Sequence, residues 1–241
     1  MPQVSTSLPV IDLGRMNYAT AYQRQRAMAM EVLAVRDCGR PEQGRLLLVE
    51  HDPVITVSRR AAARDHLLAS PGMLTSAGVE VAETDRGGDI TYHGPGQLVV
   101  YPILDLNRLN LGLHAYMRLL EQVVIETCGA FGVSCGRDPA ATGVWVQRPD
   151  EPAKICAMGV RVSRWVTTHG LALNVAPNME HFRLIVPCGL AGRPVTCLAE
   201  EAARQGITCP SIEAVKRELA GRMAAAIGEA AVRADAARIA V

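Results

Sequence analysis

The chain has 241 residues, 25 basic and 24 acidic, for a formal net charge of +1. That balance excludes a protein that works by coating nucleic acid or an anionic membrane. With 49% hydrophobic and 20% charged residues the chain is globular rather than disordered; its length suits one large domain or two small ones, and the elements taken in order sum to one domain over residues 1–241. Leu8 to Leu13 reads as a short strand closed by Gly14, and Tyr18 to Asp37 as an amphipathic helix with Tyr22, Ala29, Val32 and Leu33 among its apolar positions. Leu46 to Val49 and Pro53 to Val57 are strand-like, and Ala61 to Leu68 is a loop or one short helix. Three strands follow between Gly and Pro punctuation: Val79 to Thr84, Ile90 to His93 and Gln97 to Ile103. Gly112 to Gly129 carries an apolar stripe of Leu113, Tyr116, Leu119, Leu120, Val123, Val124 and Cys128, which predicts a helix. Strands resume at Gly143 to Gln147, Lys154 to Val162, Trp165 to Thr168 and Leu171 to Val175. Two helices close the chain, Thr196 to Gln205 and Ser211 to about Ala230, with an alanine-rich tail after Gly228 that is helical or frayed. The sum is a mixed α/β fold with antiparallel hairpins.

Seven cysteines at irregular spacings, none in a CxxC pair, do not form a disulfide framework or a zinc ribbon. No basic segment followed by an apolar run opens the chain, and no stretch approaches the ~18 apolar residues of a membrane helix. A reducing cytoplasm is the expected location.

Three segments depart from plain strand or helix. Asp85 to Gln97 (DRGGDITYHGPGQ) packs four glycines, a proline, an Arg and a His into one short run. Glycine lets backbone approach a ligand closely, and a tight hairpin would use the same residues. Neither GxGxxG nor a P-loop is present, so nothing supports phosphate cradling. Pro152 to Val160 places Lys154 in an apolar strand. Twenty-three of the basic residues are Arg and only two are Lys, so Lys154 and Lys216 each invite a reason. A lysine in an apolar run is either paired and perturbed or snorkels to water. Lys216, among Glu213, Arg217 and Glu218 on an amphipathic helix, is expected on a solvated face. Finally, Val186-Pro-Cys-Gly-Leu190 presents Cys188 between a proline and a glycine. A thiol beside a cation gains thiolate, the nucleophilic form. Cys128 and Cys156 fall on a helix stripe and inside a strand, Cys38 and Cys209 flank loops, and Cys197 is the one rival nucleophile.

These blocks resemble the lipoyl(octanoyl) transferases. The resemblance rests on Arg86-Gly-Gly-x-x-Thr91-Tyr92-His93-x-x-Gly96-Gln97-x-Val99-x-Tyr101, then Lys154-Ile-x-Ala-Met-Gly-Val, His169-Gly-Leu-Ala-Leu-Asn-Val and Pro187-Cys188-Gly, in that order. It runs from about Val10 to Ala225. The resemblance implies the biotin/lipoate ligase catalytic fold, an α/β (mixed α+β) domain with a larger and a smaller, mostly antiparallel sheet and flanking helices. It implies transfer of an octanoyl group from octanoyl acyl carrier protein to a lysine of lipoyl domains, including glycine cleavage H protein, in protein lipoylation. Cys188 matches the nucleophile and Lys154 the lysine that activates it. Arg86, Gly87, Gly88, Asp89, Ile90, Thr91, Tyr92 and His93, then Ala157, Met158 and Gly159, then Gly170, Leu171 and Ala172 match the acyl-binding walls. No cofactor, metal, nucleic acid or membrane partner is implied. His93 and His169 either shuttle a proton or, the preferred reading, hold the loops. Two positions depart from the family pattern: Ser58 where a Gly is usual, and Cys197 where a Ser is common.

The alternative on the same fold is an ATP-dependent lipoate- or biotin-protein ligase, which also uses a lysine at the position of Lys154. The GRGRxG loop of biotin ligases is missing, and a cysteine in Pro187-Cys188-Gly189 favours thioester exchange. A non-catalytic carrier-binding module would not need both Cys188 and Lys154. Acidic carrier protein calls for a local basic patch, for which Arg59, Arg60 and Arg64 are the sequence candidate, the other reading being a solvated loop.

Overall fold

A computed structural model describes residues 8–38, 44–187 and 192–239. Its larger sheet has seven strands: β1 (Val10–Met16), β2 (Gly44–His51), β6 (Gln97–Leu104), β7 (Cys135–Gly136), β8 (Val144–Val146), β9 (Ala153–Ser163) and β10 (Val166–Asn174). They lie in the order β1-β2-β6-β10-β9-β8-β7, antiparallel except for the β1/β2 pair. The smaller sheet has the order β4-β3-β5, from β3 (Val54–Ser58), β4 (Glu80–Thr84) and β5 (Ile90–His93). The expected larger and smaller sheets are therefore both present.

The apolar runs in β2 and β6 follow from burial on both faces. Leu46, Leu48, Leu98 and Val100 face a core built with α3 (Leu113–Ala130) and α5 (Ile212–Ile239). Leu47, Val49, Val99 and Tyr101 face the other way, against Ala21, Val32 and Leu33 of α1 (Tyr18–Asp37). The smaller sheet buries Ile55, Val57, Ile90 and Tyr92 against Phe182 and Leu184 of a 3-10 turn over Met179–Leu184.

Several expectations need correction. Trp165 to Thr168 and Leu171 to Val175 are one strand, β10, because His169 adopts φ 59° without leaving register opposite Val160. The Gln25 side chain accepts the His169 N–H at 2.8 Å, so the kinked residue keeps a partner. Pro71–Ala77 forms an unforeseen helix, α2: Ser70 accepts from Met73 N, proline starts the helix, and Gly78 ends it at φ 62°. Two open expectations resolve to helix: Ala61–His66 is a short 3-10 helix, and α5 continues through the alanine-rich tail to Ile239. Lys216 is not on a solvated face. It is 6% exposed, with Nζ 3.1 Å from Asp12 and 3.0 Å from Glu213, because α5 lays it against the β1/β2 edge, where Glu50 also approaches to 3.8 Å. Among the described residues, no helix is long and apolar enough to cross a membrane.

Candidate active site

Between the two sheets lies a cavity of about 390 Å³. Its walls come from the loop 86–89, from Thr91 and His93 of β5, from Ala157, Met158, Gly159 and Val160 of β9, and from Gly170, Leu171 and Ala172 of β10. Every residue of the expected acyl-binding set lines it except Ile90 and Tyr92. Those two alternate with Thr91 and His93 along β5 and so point into the core of the smaller sheet.

The glycines bring the sheets together. Gly87 N–H donates to the Val160 carbonyl at 3.0 Å, which stitches the loop to the outer edge of β9. A Cβ on Gly159 would run into the Gly87 carbonyl oxygen, and one on Gly170 into the Val100 carbonyl. Arg86 closes the loop from within: its guanidinium donates to the Thr56 carbonyl at 3.0 Å and to the Thr56 hydroxyl at 3.1 Å. Asp89 is held by His66 at 2.8 Å. Ser58, the departure from the family glycine, is buried at the end of β3, where its hydroxyl accepts the Arg60 N–H at 3.4 Å.

A rigid polar frame surrounds the apolar walls. His93 Nδ1 meets the Gln97 amide oxygen at 2.7 Å, and Gln97 donates in turn to Asn174 at 2.9 Å. Asn174 donates to the Thr196 carbonyl at 2.9 Å. His169 Nε2 lies 2.8 Å from Asp85, and its ring stacks on Tyr22. Sequence reading missed His51, which is buried with Nε2 2.7 Å from the Tyr101 hydroxyl and its ring 5.6 Å from that of His93. It belongs to none of the four blocks, and only its place beside the Asp52-Pro53 turn could have singled it out. Burial pushes the pKa of His51 down to about 4 and lowers His93 strongly. It lowers His169 too, against the pull of Asp85. All three imidazoles are therefore neutral near pH 7, so His93 and His169 add no charge to the cavity wall.

Lys154 is 6% exposed and lines the cavity. Its ammonium stands 4.8 Å from the centre of the Trp145 ring, which the Arg193 guanidinium also covers at 4.0 Å. Trp145 is the second residue that sequence reading missed. Backbone bonds fix the strand on both sides: Lys154 N–H donates to Pro194 O and Thr196 N–H to Lys154 O, each at 2.9 Å. A smaller cleft beside the cavity is lined by Lys154 and Ala157 together with Pro187 and Val195. Cys188 itself lies outside the described residues. The rival thiol, Cys197, is buried at the N-cap of α4 (Leu198–Gln205), and burial raises its pKa, which disfavours the thiolate.

The model of the family described as the lipoyl protein ligase A/B catalytic domain matches residues 23–223. An octanoyltransferase from Solibacter usitatus is 47% identical over 195 residues, covering 81% of this chain and 84% of its own. An octanoyltransferase from Chloroflexus aurantiacus is 45% identical over 224 residues, covering 92% and 93%. Among solved structures, the bi-partite lipoate protein ligase of Thermoplasma acidophilum superposes with a TM-score of 0.65 at 14% identity, over 92% of this chain and 84% of that one. That likeness shows a common fold, and with the sequence matches it places the chain in the lipoyl protein ligase A/B catalytic family, among the lipoyl(octanoyl) transferases, as an acyltransferase.

Proposed function

We propose that the protein transfers an octanoyl group from octanoyl acyl carrier protein to a lysine of a lipoyl domain, through a thioester on Cys188. The observation that carries the reading is Lys154, a buried cation at the wall of an apolar cavity. Pro187, one peptide bond before Cys188, shares a cleft with it. The names of the relatives supply the acyl group, and the Thermoplasma ligase, described with its E2 lipoyl domain, supplies the kind of acceptor.

The Cys188 thiolate attacks the carrier thioester carbonyl, and the carrier thiolate leaves. Lys154 pairs with the attacking thiolate and gives a proton to the leaving sulfur. The acyl tail lies along Ala157 to Gly159 and Gly170 to Ala172, where Ala157, Gly159, Gly170 and Ala172 leave a narrow slot. The acceptor lysine, as the free amine, then attacks the acyl-enzyme carbonyl; its proton passes to the now neutral Lys154, an amide forms, and Cys188 leaves as the thiolate paired with the restored ammonium. Sulfur is exchanged for sulfur in the first half, so no ATP is consumed.

Intact mass after incubation with octanoyl carrier protein, without ATP, tests the reading. An octanoyl adduct is expected on the wild type and on Cys197→Ser but not on Cys188→Ser, and Lys154→Ala should form it at least about tenfold more slowly. An adduct on Cys197, or none unless octanoate and ATP are supplied, overturns the proposal, the latter in favour of a ligase.

A further inference from the structure

The amine that accepts the acyl group has more protons to lose than Lys154 takes up. A lysine side chain arrives as an ammonium with three N–H bonds, since only about one in a few thousand is deprotonated near pH 7, and it ends as an amide with one. In the transfer described above Lys154 accepts one of the two protons, so a second acceptor is needed. Asp89 is the one carboxylate among the described residues that line the cavity. Its Oδ1 lies 2.8 Å from Nδ1 of His66, the last residue of the 3-10 helix Ala61–His66. An ionised carboxylate can only accept, which assigns the hydrogen of the neutral ring to Nδ1 and leaves the lone pair on Nε2. Nε2 has no partner among the described residues, and the side chain is 28% exposed. The main chain of the same residue accepts from Val186 N–H at 2.8 Å, two positions before Cys188, and Pro187 lines the cleft that Lys154 also lines. His51, His93 and His169 are buried and lack such a route to water.

A carboxylate that orients an imidazole, with the far ring nitrogen unoccupied, is the arrangement of a general base. We propose that His66, held by Asp89, is the base that removes the first proton from the acceptor lysine. The acceptor's ammonium gives one proton to Nε2 and becomes the free amine, whose electron pair then attacks the thioester carbonyl. Asp89 offsets the charge of the ring while it holds the proton, and the exposed ring passes that proton to water. The second proton goes from the tetrahedral adduct to Lys154, and the carbon–sulfur bond breaks to give the Cys188 thiolate. Over the full cycle one proton is released, which balances an ammonium and a thioester against an amide and a carrier thiol. The proposal rests on the acyl-transfer reading above and adds the group that makes the acceptor nucleophilic.

The test separates the two half-reactions in the full chain. Wild type and His66→Gln, whose amide keeps a donor for Asp89 but cannot take up a proton, are each octanoylated with octanoyl carrier protein and followed by intact mass. The isolated acyl-enzymes then meet either a lipoyl domain or hydroxylamine, an amine that is already unprotonated at neutral pH. Transfer to the lipoyl domain should slow about a hundredfold in His66→Gln, while acyl-enzyme formation and release by hydroxylamine stay within about twofold of wild type. A slowing of less than about tenfold overturns the proposal. So does an equal slowing with hydroxylamine, or a variant that no longer forms the acyl-enzyme, because either result makes His66 a support for the neighbouring chain rather than a base. A wild type that forms no acyl-enzyme would instead reject the acyl-transfer reading, and with it the need for this base.

Discussion

His51 is buried, bonded to Tyr101, and held neutral by its surroundings. In the unfolded chain it would titrate near 6.5, whereas in the fold burial pushes it down to about 4. Between those values the unfolded state binds the extra proton. The stability the neutral ring allows is thus complete above about pH 6.5 and is lost as pH falls toward 4. The gap corresponds to about 3 kcal/mol, and His93, shifted in the same direction, adds to it. Urea unfolding at a series of pH values should show this acid loss in the wild type and a distinctly shallower slope in His51→Gln; parallel curves would mean that His51 does not carry it. At this scale the site was readable where a residue type has only one economical use. Gly159 and Gly170 are small because backbone packs on backbone there, and that leaves a mark in the sequence. Lys216 was misread because its burial is created by Asp12, 204 positions away, which no local pattern announces.

Among the elements, those with a buried stripe on one face were the easiest to foresee. Helix α1 spans Tyr18–Asp37, as its periodicity predicts, while β5 over Ile90–His93, buried on both faces, was marked instead by the glycines and proline around it. Helix α2 escaped notice because it buries no residue, so only its Ser70, Pro71 and Gly78 punctuation gave it away. The C-terminal helix is legible in the sequence but its extent is not, because alanine is helical almost anywhere and says little about what it covers. Its last turns are packed: Ala230, Ala231 and Ala234 are buried, Asp235 pairs with Arg108 at 2.8 Å, and Arg238 donates to the Asn107 carbonyl at 2.9 Å. Ending the chain after Gly228 should therefore cost about 2 kcal/mol or more, a fall of roughly 4 to 8 °C in Tm. A truncated protein that melts with the full one would show the tail to be ornamental.

For the whole molecule, the decisive arrangement is that two sheets with separate cores share one cavity. An eight-carbon chain lodged there touches β5 on one side and β9 and β10 on the other, so it should stabilise both cores together. The octanoylated protein is expected to melt several degrees above the free one, since each buried CH2 contributes about 0.8 kcal/mol. Hydrogen exchange should slow in β5 and β9 alike, and slowing confined to one of them would contradict a chain seated between the sheets. The described residues that flank the Cys188 segment are tied to different sheets. Before it, Val186 N–H donates to the His66 carbonyl at 2.8 Å, on the side of the smaller sheet; after it, Pro194 O accepts from Lys154 N–H at 2.9 Å, in the larger one. Both anchors are main-chain bonds, indifferent to which side chains stand beside them. Side-chain substitutions that keep the Val186 N–H and the Pro194 carbonyl should therefore leave both flanks tied to their own sheets.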